Sequence, residues 1–378
     1  MPGPGALARG GLYAGAFLGP FGGGVTVAML PELGASFGVS AGTASLSVTA
    51  YLLPFAALML GSGTLGERWG RRRTVVIAYA VYVLASVACA IASTLPLFLA
   101  ARALQGAANA FTMPLLLSAL AAAVPHERLG RALGWFGSLQ AAGQTSAPLL
   151  GGFAAEADWR LAFAGVAAVA AALGVIGIPA NPTGGAARQA LGTALRTAMR
   201  PAVLRAGLVA ALGWGCLAGL GFLVALRLEE GFGVGAGPRG VVLTAAGAAG
   251  LLTARLVGGG VDRIGTRRSV LIGAWLGAVV VVGVGVLPAV WMVALAWALG
   301  GAATQFMLVG VNALVLRSPQ NRGGSVSVVQ AVRFGGGALS PVAVIPIYHA
   351  DPLAGFLVPA ALLALAVPAA LPGGPTRQ

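Results

Sequence analysis

An all-α integral membrane protein, with twelve transmembrane helices arranged as two six-helix pseudo-repeats, is the fold class this sequence predicts. Three observations lead there: an apolar composition, a regular recurrence of long apolar runs, and an internal duplication. The chain of 378 residues is 58% hydrophobic and 8% charged, with a mean hydropathy of +0.91. Soluble domains carry about 25% charged residues, so a water-soluble globule is excluded. The net charge of +14 does not indicate nucleic acid, because the basic residues sit in short patches between apolar runs and form no continuous basic face. All 23 basic side chains are arginine. With the heavy use of Ala, Gly and Pro, that usage suggests a GC-rich genome, hence a bacterium and its cell membrane. Cys89 and Cys216 lie inside apolar runs without metal-ligand spacing, which favours packing over a disulfide or zinc site.

A helix needs roughly 20 apolar residues to cross about 30 Å of hydrocarbon. Runs of that kind fall near residues 12–31, 43–62, 74–95, 97–120, 132–153 and 160–178. Six more fall near 206–228, 240–260, 269–287, 289–315, 324–348 and 353–371. Between the two sets lies a stretch holding Pro182, Arg188, Arg196 and Arg200. It is too charged for lipid, where a central arginine costs about 2.5–3.5 kcal/mol. The expected organisation is therefore an N-terminal bundle at 1–180, a cytoplasmic linker at 181–205 and a C-terminal bundle at 206–378. The first run, behind Arg9, is read as a span because it is too long for a signal peptide and has no cleavage site.

Orientation follows from the arginines. With the N-terminus inside, seventeen fall in cytoplasmic segments and only Arg160, Arg227 and Arg239 near outer ends, which places both termini in the cytoplasm. The acids Glu32, Glu156, Asp158, Glu229, Glu230 and Asp351 then lie outside.

The duplication is most visible at two turns. Gly63–Arg73 reads Gly-Thr-Leu-Gly-Glu-Arg-Trp-Gly-Arg-Arg-Arg, and Gly258–Arg268 reads Gly-Gly-Gly-Val-Asp-Arg-Ile-Gly-Thr-Arg-Arg. Glu67 aligns with Asp262, Arg68 with Arg263, Gly70 with Gly265 and Arg72 with Arg267, an offset of 195 residues. At the same offset Arg102–Phe111 aligns with Trp297–Phe306. Both arginine turns need the same side of the membrane, so the halves are parallel repeats. Gly63 and Gly70 are expected to allow close approach and a sharp reversal in a polar loop, and Arg68, Arg71 and Arg72 to hold it at the anionic cytoplasmic surface.

On these residues the chain resembles the major facilitator superfamily, and within it the bacterial drug and small-solute exporters. The first turn matches the family pattern Gly-x-Leu-x-Asp-Arg-x-Gly-Arg-Arg, with Glu67 in place of Asp. The resemblance makes Gly63, Glu67, Arg68, Gly70, Arg71, Arg72, Asp262, Arg263, Gly265 and Arg267 gating and structural residues. In the fourth run, Arg102, Gln105 and Gly106 are similar to the family's Arg-x-x-Gln-Gly motif, and Asn109 shares their helical face. The resemblance links this arginine to proton transfer; a second reading has it only pinning backbone carbonyls. In the fifth run, Ala147, Pro148, Gly151 and Gly152 resemble the exporters' Gly-Pro-x-x-Gly-Gly motif, with Ala147 replacing the first glycine. Pro148 is expected to kink the helix, and Gly151 and Gly152 to allow close packing. Asp158-Trp159-Arg160 also resembles the family and is expected to anchor the outer interface.

The departure is in the acids. The expected spans hold no Asp, Glu, Lys or His, and apart from Arg160 and Arg227 at outer ends their charges are Arg102, Arg255 and Arg333. Proton coupling needs a group that titrates, and arginine does not. Glu32, at the end of the first run, is the nearest carboxylate, with a solvated loop acid as the bland alternative. His349 beside Asp351 is a weaker candidate. Arg333 falls near the middle of the eleventh run and has no duplicated counterpart. It either attracts a carboxylate-bearing substrate together with Arg102 or is pinned by carbonyls, Gln330 or Ser340. Arg255 is expected to snorkel. Gln140, Gln144, Gln305, Asn312 and Gln330 are further candidates for the pathway, with Trp135, Trp214 and Trp297 as aromatic walls.

The function implied is secondary transport of a small organic solute by alternating access, as proton-coupled efflux. Rival readings are an organic-anion exchanger, a uniporter or a non-transporting sensor. A catalytic cluster is missing from the sequence, as is a nucleotide-binding loop, which with no lysine cannot form. The expected partners are a small-molecule substrate, protons and the lipid bilayer, with no nucleic acid, no cofactor and no metal, in a monomer.

Overall fold

Backbone groups in hydrocarbon must be hydrogen-bonded within the chain, and apolar runs of this length satisfy that as helices. The computed structural model describes residues 4–178, 200–316 and 325–371, and these are helical almost throughout. The chain divides into two compact units, Met1–Ala190 and Leu191–Gln378. Most of the expected linker, residues 181–199, lies outside the described residues, as do Arg317, Arg322 and Arg377.

Unit 1 contains α1 (Pro4–Gly24), α2 (Leu30–Phe37), α3 (Leu46–Trp69), α4 (Arg71–Ile91), α5 (Leu95–Ala123), α6 (His126–Ala157) and α7 (Arg160–Ile176). Unit 2 contains α8 (Pro201–Gly215), α9 (Gly221–Phe232), α10 (Ala236–Ile264), α11 (Thr266–Val286), α12 (Val290–Leu316), α13 (Ser325–Ala350) and α14 (Pro352–Ala361), the last prolonged to Ala370 by a π-helical stretch. Among the described residues, ten segments, taken with their continuations, are long and apolar enough to span a membrane. The shorter α7 and the more polar α6 make up the twelve-helix fold.

The first span of each unit is a broken helix. Span 1 runs from Gly10 to Phe37 and is interrupted between α1 and α2; span 7 runs from Pro201 to Phe232 and is interrupted between α8 and α9. This moves several sequence boundaries. Glu32 lies in the first turn of α2, half-buried, and not in an outer loop. Glu229 and Glu230 lie on α9, and α8 begins at Pro201, inside the expected linker.

Within each unit the repeat-related helices cross at glycines. In unit 1, α3 packs on α5, and a Cβ on Gly106 would collide with the Tyr51 carbonyl oxygen. In unit 2, α10 packs on α12, and a Cβ on Gly301 would collide with the Ala246 carbonyl oxygen. Both members of this pair obey the duplication offset. The arginine turns repeat as closely. The expected polar loop shrinks to one residue, because α3 continues through Gly63 and Glu67 to Trp69 and α4 starts at Arg71. Gly70 between them has φ 95° and ψ 110°, and Gly265 between α10 and α11 has φ 88° and ψ 155°. An L side chain is strained there, so both turns require glycine. The close approach comes from Gly66 and not Gly63: a Cβ on Gly66 would stand 2.5 Å from Leu115 Cδ1, whereas one on Gly63 would have ordinary room.

Candidate functional site

The polar centre of unit 1 is built on Arg102, which is buried on α5 with 0% exposure. Its Nη1 donates to the Gly22 carbonyl at 2.8 Å and to Gln105 Oε1 at 2.8 Å. Nη2 donates to the Gly23 carbonyl at 3.2 Å and Nε to the Ser47 carbonyl at 3.4 Å. One face of the guanidinium lies on Tyr51, 4.4 Å from its ring centre. Gly22 and Gly23 are in the last turn of α1, where carbonyls lose their helical partners and the helix dipole is negative. A buried cation there satisfies orphan acceptors and seals the break in span 1. Arg102 thus reaches three backbone carbonyls and the Gln105 side chain.

The network extends through neighbours that the motif did not announce. Gln105 Nε2 donates to Ser86 Oγ at 2.7 Å, Ser86 Oγ donates to the Tyr82 carbonyl at 2.7 Å, and Cys89 Sγ approaches Gln105 Oε1 at 3.7 Å. Tyr51 donates its hydroxyl to the Gly19 carbonyl at 3.1 Å. Asn109, also buried, accepts from Thr112 Oγ1 at 3.0 Å. Ser86, Tyr51 and Tyr82 belong to no motif; only their placement in otherwise apolar runs could have marked them.

The exporter-like motif meets the same break from the other side. Gly143 and Gly151 on α6 leave no room for a Cβ against the carbonyls of Phe17 and Val25, and Ala147 Cβ lies 3.2 Å from where a Cβ on Gly24 would stand. Gly152 is buried, and Pro148 lies within a helix that runs from His126 to Ala157. Gln140 is half-buried with Nε2 3.7 Å from Met113 Sδ, and Gln144 is exposed. At the other end of α6, Trp159 is buried in an aromatic cluster with Phe37, Phe98 and Phe163. Trp135 is 62% exposed.

At the first arginine turn, Arg71 makes a two-pronged pair with Glu67, Nε to Oε1 at 2.8 Å and Nη2 to Oε2 at 3.0 Å. Ser118 Oγ on α5 donates to the same Oε1 at 2.7 Å, so the pair ties α3, α4 and α5. Arg68 and Arg72 are exposed. In the second copy Thr266 stands in place of Arg71, so this fork is not repeated, and Asp262, Arg263 and Arg267 are exposed.

Unit 2 has its own arrangement. Trp297, the repeat-mate of Arg102, is buried and donates Nε1 to the Leu243 carbonyl at 3.2 Å. The break in span 7 is met by Ser340, whose Oγ donates to the Gly215 carbonyl at 2.6 Å, so Ser340 is not a partner of Arg333. Arg333 lies in a narrow cleft of about 20 Å³ lined from α8, α12 and α13, with Gln330, Asn312 and Trp214 in its wall. Its guanidinium carbon sits 4.5 Å from the Trp214 ring centre and 4.5 Å from that of Phe334. Gln305 is half-buried beside Gly250, on the α10 contact. Arg255 is exposed. On α13, buried Tyr348 donates its hydroxyl to Glu230 Oε2 on α9 at 2.9 Å. His349 is exposed, and Asp351 caps α14 by accepting from Leu353 N at 2.8 Å. Among the described residues no cluster of His, Cys, Asp and Glu has metal-ligand geometry.

Comparison with known proteins agrees with this geometry. The uncharacterized MFS-type transporter EfpA of Mycobacterium tuberculosis is 33% identical over 140 residues, 37% of this chain and 26% of that protein. The drug efflux pump JefA of the same species is 34% identical over 119 residues, 31% of this chain and 23% of its own. The methylenomycin A resistance protein of Bacillus subtilis is 36% identical over 118 residues, 31% and 25% of the two chains. The alignments thus span about a quarter of the length of these relatives. Among solved structures, the nucleoside transporter NupG superposes with a TM-score of 0.79 at 13% identity, covering 97% of this chain and 100% of that one. A D-xylose-proton symporter gives 0.74 at 15% identity, covering 97% and 98%. At such identities the likeness concerns the fold. The Major Facilitator Superfamily profile matches residues 12–341, and the chain belongs to that family.

Proposed function

We propose that the protein exports a small organic solute across a bacterial plasma membrane in exchange for protons, working as a monomer by alternating access with both termini in the cytoplasm. The observation that carries the coupling is the position of carboxylates on the helices that continue the two broken spans. Glu32 sits in the first turn of α2, and Glu230 on α9 accepts a hydrogen bond from the buried Tyr348 hydroxyl. A carboxylate that gains a proton at such a place loses an acceptor and changes its hydrogen bonding, which is a local event able to bias a two-state transporter. The acid that the sequence lacked within its apolar runs is thereby supplied at their helical extensions. The export direction is supported by the named relatives, an efflux pump and an antibiotic-resistance protein, and by the Gly143, Pro148 and Gly151 pattern packed on the span 1 break. Gln105, Asn109, Gln140, Gln144, Gln305, Asn312 and Gln330 remain the proposed polar positions of the pathway.

The test is reconstitution into liposomes containing a pH-sensitive dye, with an imposed proton gradient and a panel of cationic, neutral and anionic solutes. Solute-dependent proton movement is expected in the wild type, falling at least tenfold in Glu230→Gln or Glu32→Gln. Solute flux that is unchanged when the gradient is collapsed contradicts the proposal. A cysteine introduced at Gly70 that labels only from outside intact cells contradicts the orientation.

A further inference from the structure

Unit 1 carries an open trough of about 480 Å³ beside its arginine turn, a size within the range of ligand pockets. Small residues make its floor. Ala107 and Ala108 on α5 and Ala78 on α4 leave the channel, and Trp69 at the end of α3 stacks on Phe111 at its side, ring centres 6.1 Å apart and 20° from parallel. Along α4 the lining runs from Arg73 through Ile77 to Val81. Eight residues of helix rise about 12 Å, close to the roughly 15 Å of hydrocarbon in one leaflet.

Polarity is graded along that length. Arg73 is the one charged residue of the wall; it is exposed, in the first turn of α4, where the helix dipole is positive. Glu67, the acid of the turn, is taken by Arg71 and Ser118, and Arg73 has no ion pair or side-chain hydrogen bond among the described residues. Thr74 Oγ1 already donates to the Gly66 carbonyl at 3.3 Å. The rest of the trough is apolar and open, with Trp69 57% and Ile77 51% exposed. An exposed tryptophan beside an arginine suits the boundary between headgroups and acyl chains.

From this we propose that the trough binds one anionic phospholipid of the surrounding leaflet, its phosphate paired with Arg73 and an acyl chain laid along Ile77, Val81 and the alanine floor. A free phosphate leaves the apolar length empty, and a lipid without net charge leaves Arg73 without a counter-charge. A second copy of the chain packed about a two-fold axis brings a like-charged turn to the same mouth. On the orientation proposed above the leaflet is the cytoplasmic one, but the binding rests neither on that orientation nor on transport. The duplication supplies an internal control. At its offset Arg73, Ile77 and Phe111 recur as Arg268, Ile272 and Phe306, whereas Trp69 is replaced by Ile264. Unit 2 keeps the cation without the aromatic wall.

The experiment is native mass spectrometry of the full chain in a neutral detergent, titrated with dioleoyl phosphatidylglycerol, dioleoyl phosphatidylcholine or glycerol 3-phosphate. The wild type is expected to take up one phosphatidylglycerol at least tenfold more tightly than phosphatidylcholine, and no glycerol phosphate. Arg73→Gln is expected to lose that preference while binding phosphatidylcholine as before, and Arg268→Gln, at the exposed repeat-mate, to keep it. Ala107→Phe fills the trough and is expected to weaken both lipids at least fivefold. A single peak on size exclusion and wild-type melting without lipid establish that each variant is folded. A preference that survives Arg73→Gln, or that falls equally in Arg268→Gln, overturns the proposal in favour of diffuse surface charge. Unchanged lipid binding in Ala107→Phe overturns it as well. Glycerol phosphate binding as tightly as the lipid would assign the site to a free anion, and a dimer formed by the wild type but not by Ala107→Phe would assign it to a second copy; either result overturns it.

Discussion

Unit 1 seals the break in its first span with a buried cation, whereas unit 2 seals the corresponding break with a serine. In unit 1, Arg102 reaches from α5 to the carbonyls of Gly22 and Gly23. In unit 2 the same helical position carries Trp297, which donates to Leu243 on α10, and the carbonyl at the break, Gly215, is taken by Ser340 on α13. Yet the scaffolds coincide. Gly106 and Gly301 make the same close crossing, Gly70 and Gly265 the same left-handed turn, and Gly38 and Gly233 end α2 and α9 with φ of 67° and 64°. Backbone geometry was kept through the duplication and the polar chemistry diverged. Unit 2 has an arginine without a counterpart in unit 1, Arg333, which lies against Trp214 and Phe334 with a buried Nε that has no hydrogen-bond partner, while every donor nitrogen of Arg102 has one.

The strongest way to break the comparison is at the shared crossings. Gly106→Val and Gly301→Val each drive a side chain into a backbone carbonyl, and both are expected to cost more than about 4 kcal/mol and to eliminate the folded peak on size exclusion. If one tolerates valine, the two crossings are not equivalent. The next effect separates the units. Arg102→Ala leaves three carbonyls and Gln105 short of donors, for an expected loss of about 2–4 kcal/mol, while Trp297→Phe removes one hydrogen bond for about 1 kcal/mol or less in denaturation by detergent titration. Gly70→Ala and Gly265→Ala are expected to cost about 1–3 kcal/mol each by backbone strain, and nearly the same as one another. The smallest effect is expected for Glu67→Gln, which weakens a partly exposed pair by about 0.5–1 kcal/mol in thermal melts, an effect that shrinks as salt is raised.

The twelve runs, the duplication and the glycines of the repeated turns were all readable from apolar length and offset alone, because lipid imposes those lengths and a positive φ imposes glycine. The breaks in spans 1 and 7 were not readable. Glycine and proline occur in most of the runs, so nothing local distinguishes Gly24 or Gly215 from a packing glycine. For the same reason Glu32, Glu229 and Glu230 fall outside the expected spans: those runs stop at an acid, whereas the helices continue past the break and carry the acids with them. Arg102 stood out in the sequence, but apart from Gln105 its hydrogen-bond partners are backbone carbonyls, which no side-chain pattern encodes. Arg333 stood out as well, and only the fold could separate it from Ser340 and place it against Trp214 and Phe334.

The central claim is that Arg102 stabilises its unit through its hydrogen bonds, whereas Arg333, with Nε left unpartnered, does not. The most direct test is the thermal melting of Arg102→Gln and Arg333→Gln in the same detergent without added solute. The account predicts a marked fall in Tm for Arg102→Gln and an unchanged or higher Tm for Arg333→Gln, since removing an unpaired buried charge relieves a desolvation cost. A fall for Arg333→Gln as large as that for Arg102→Gln would contradict it.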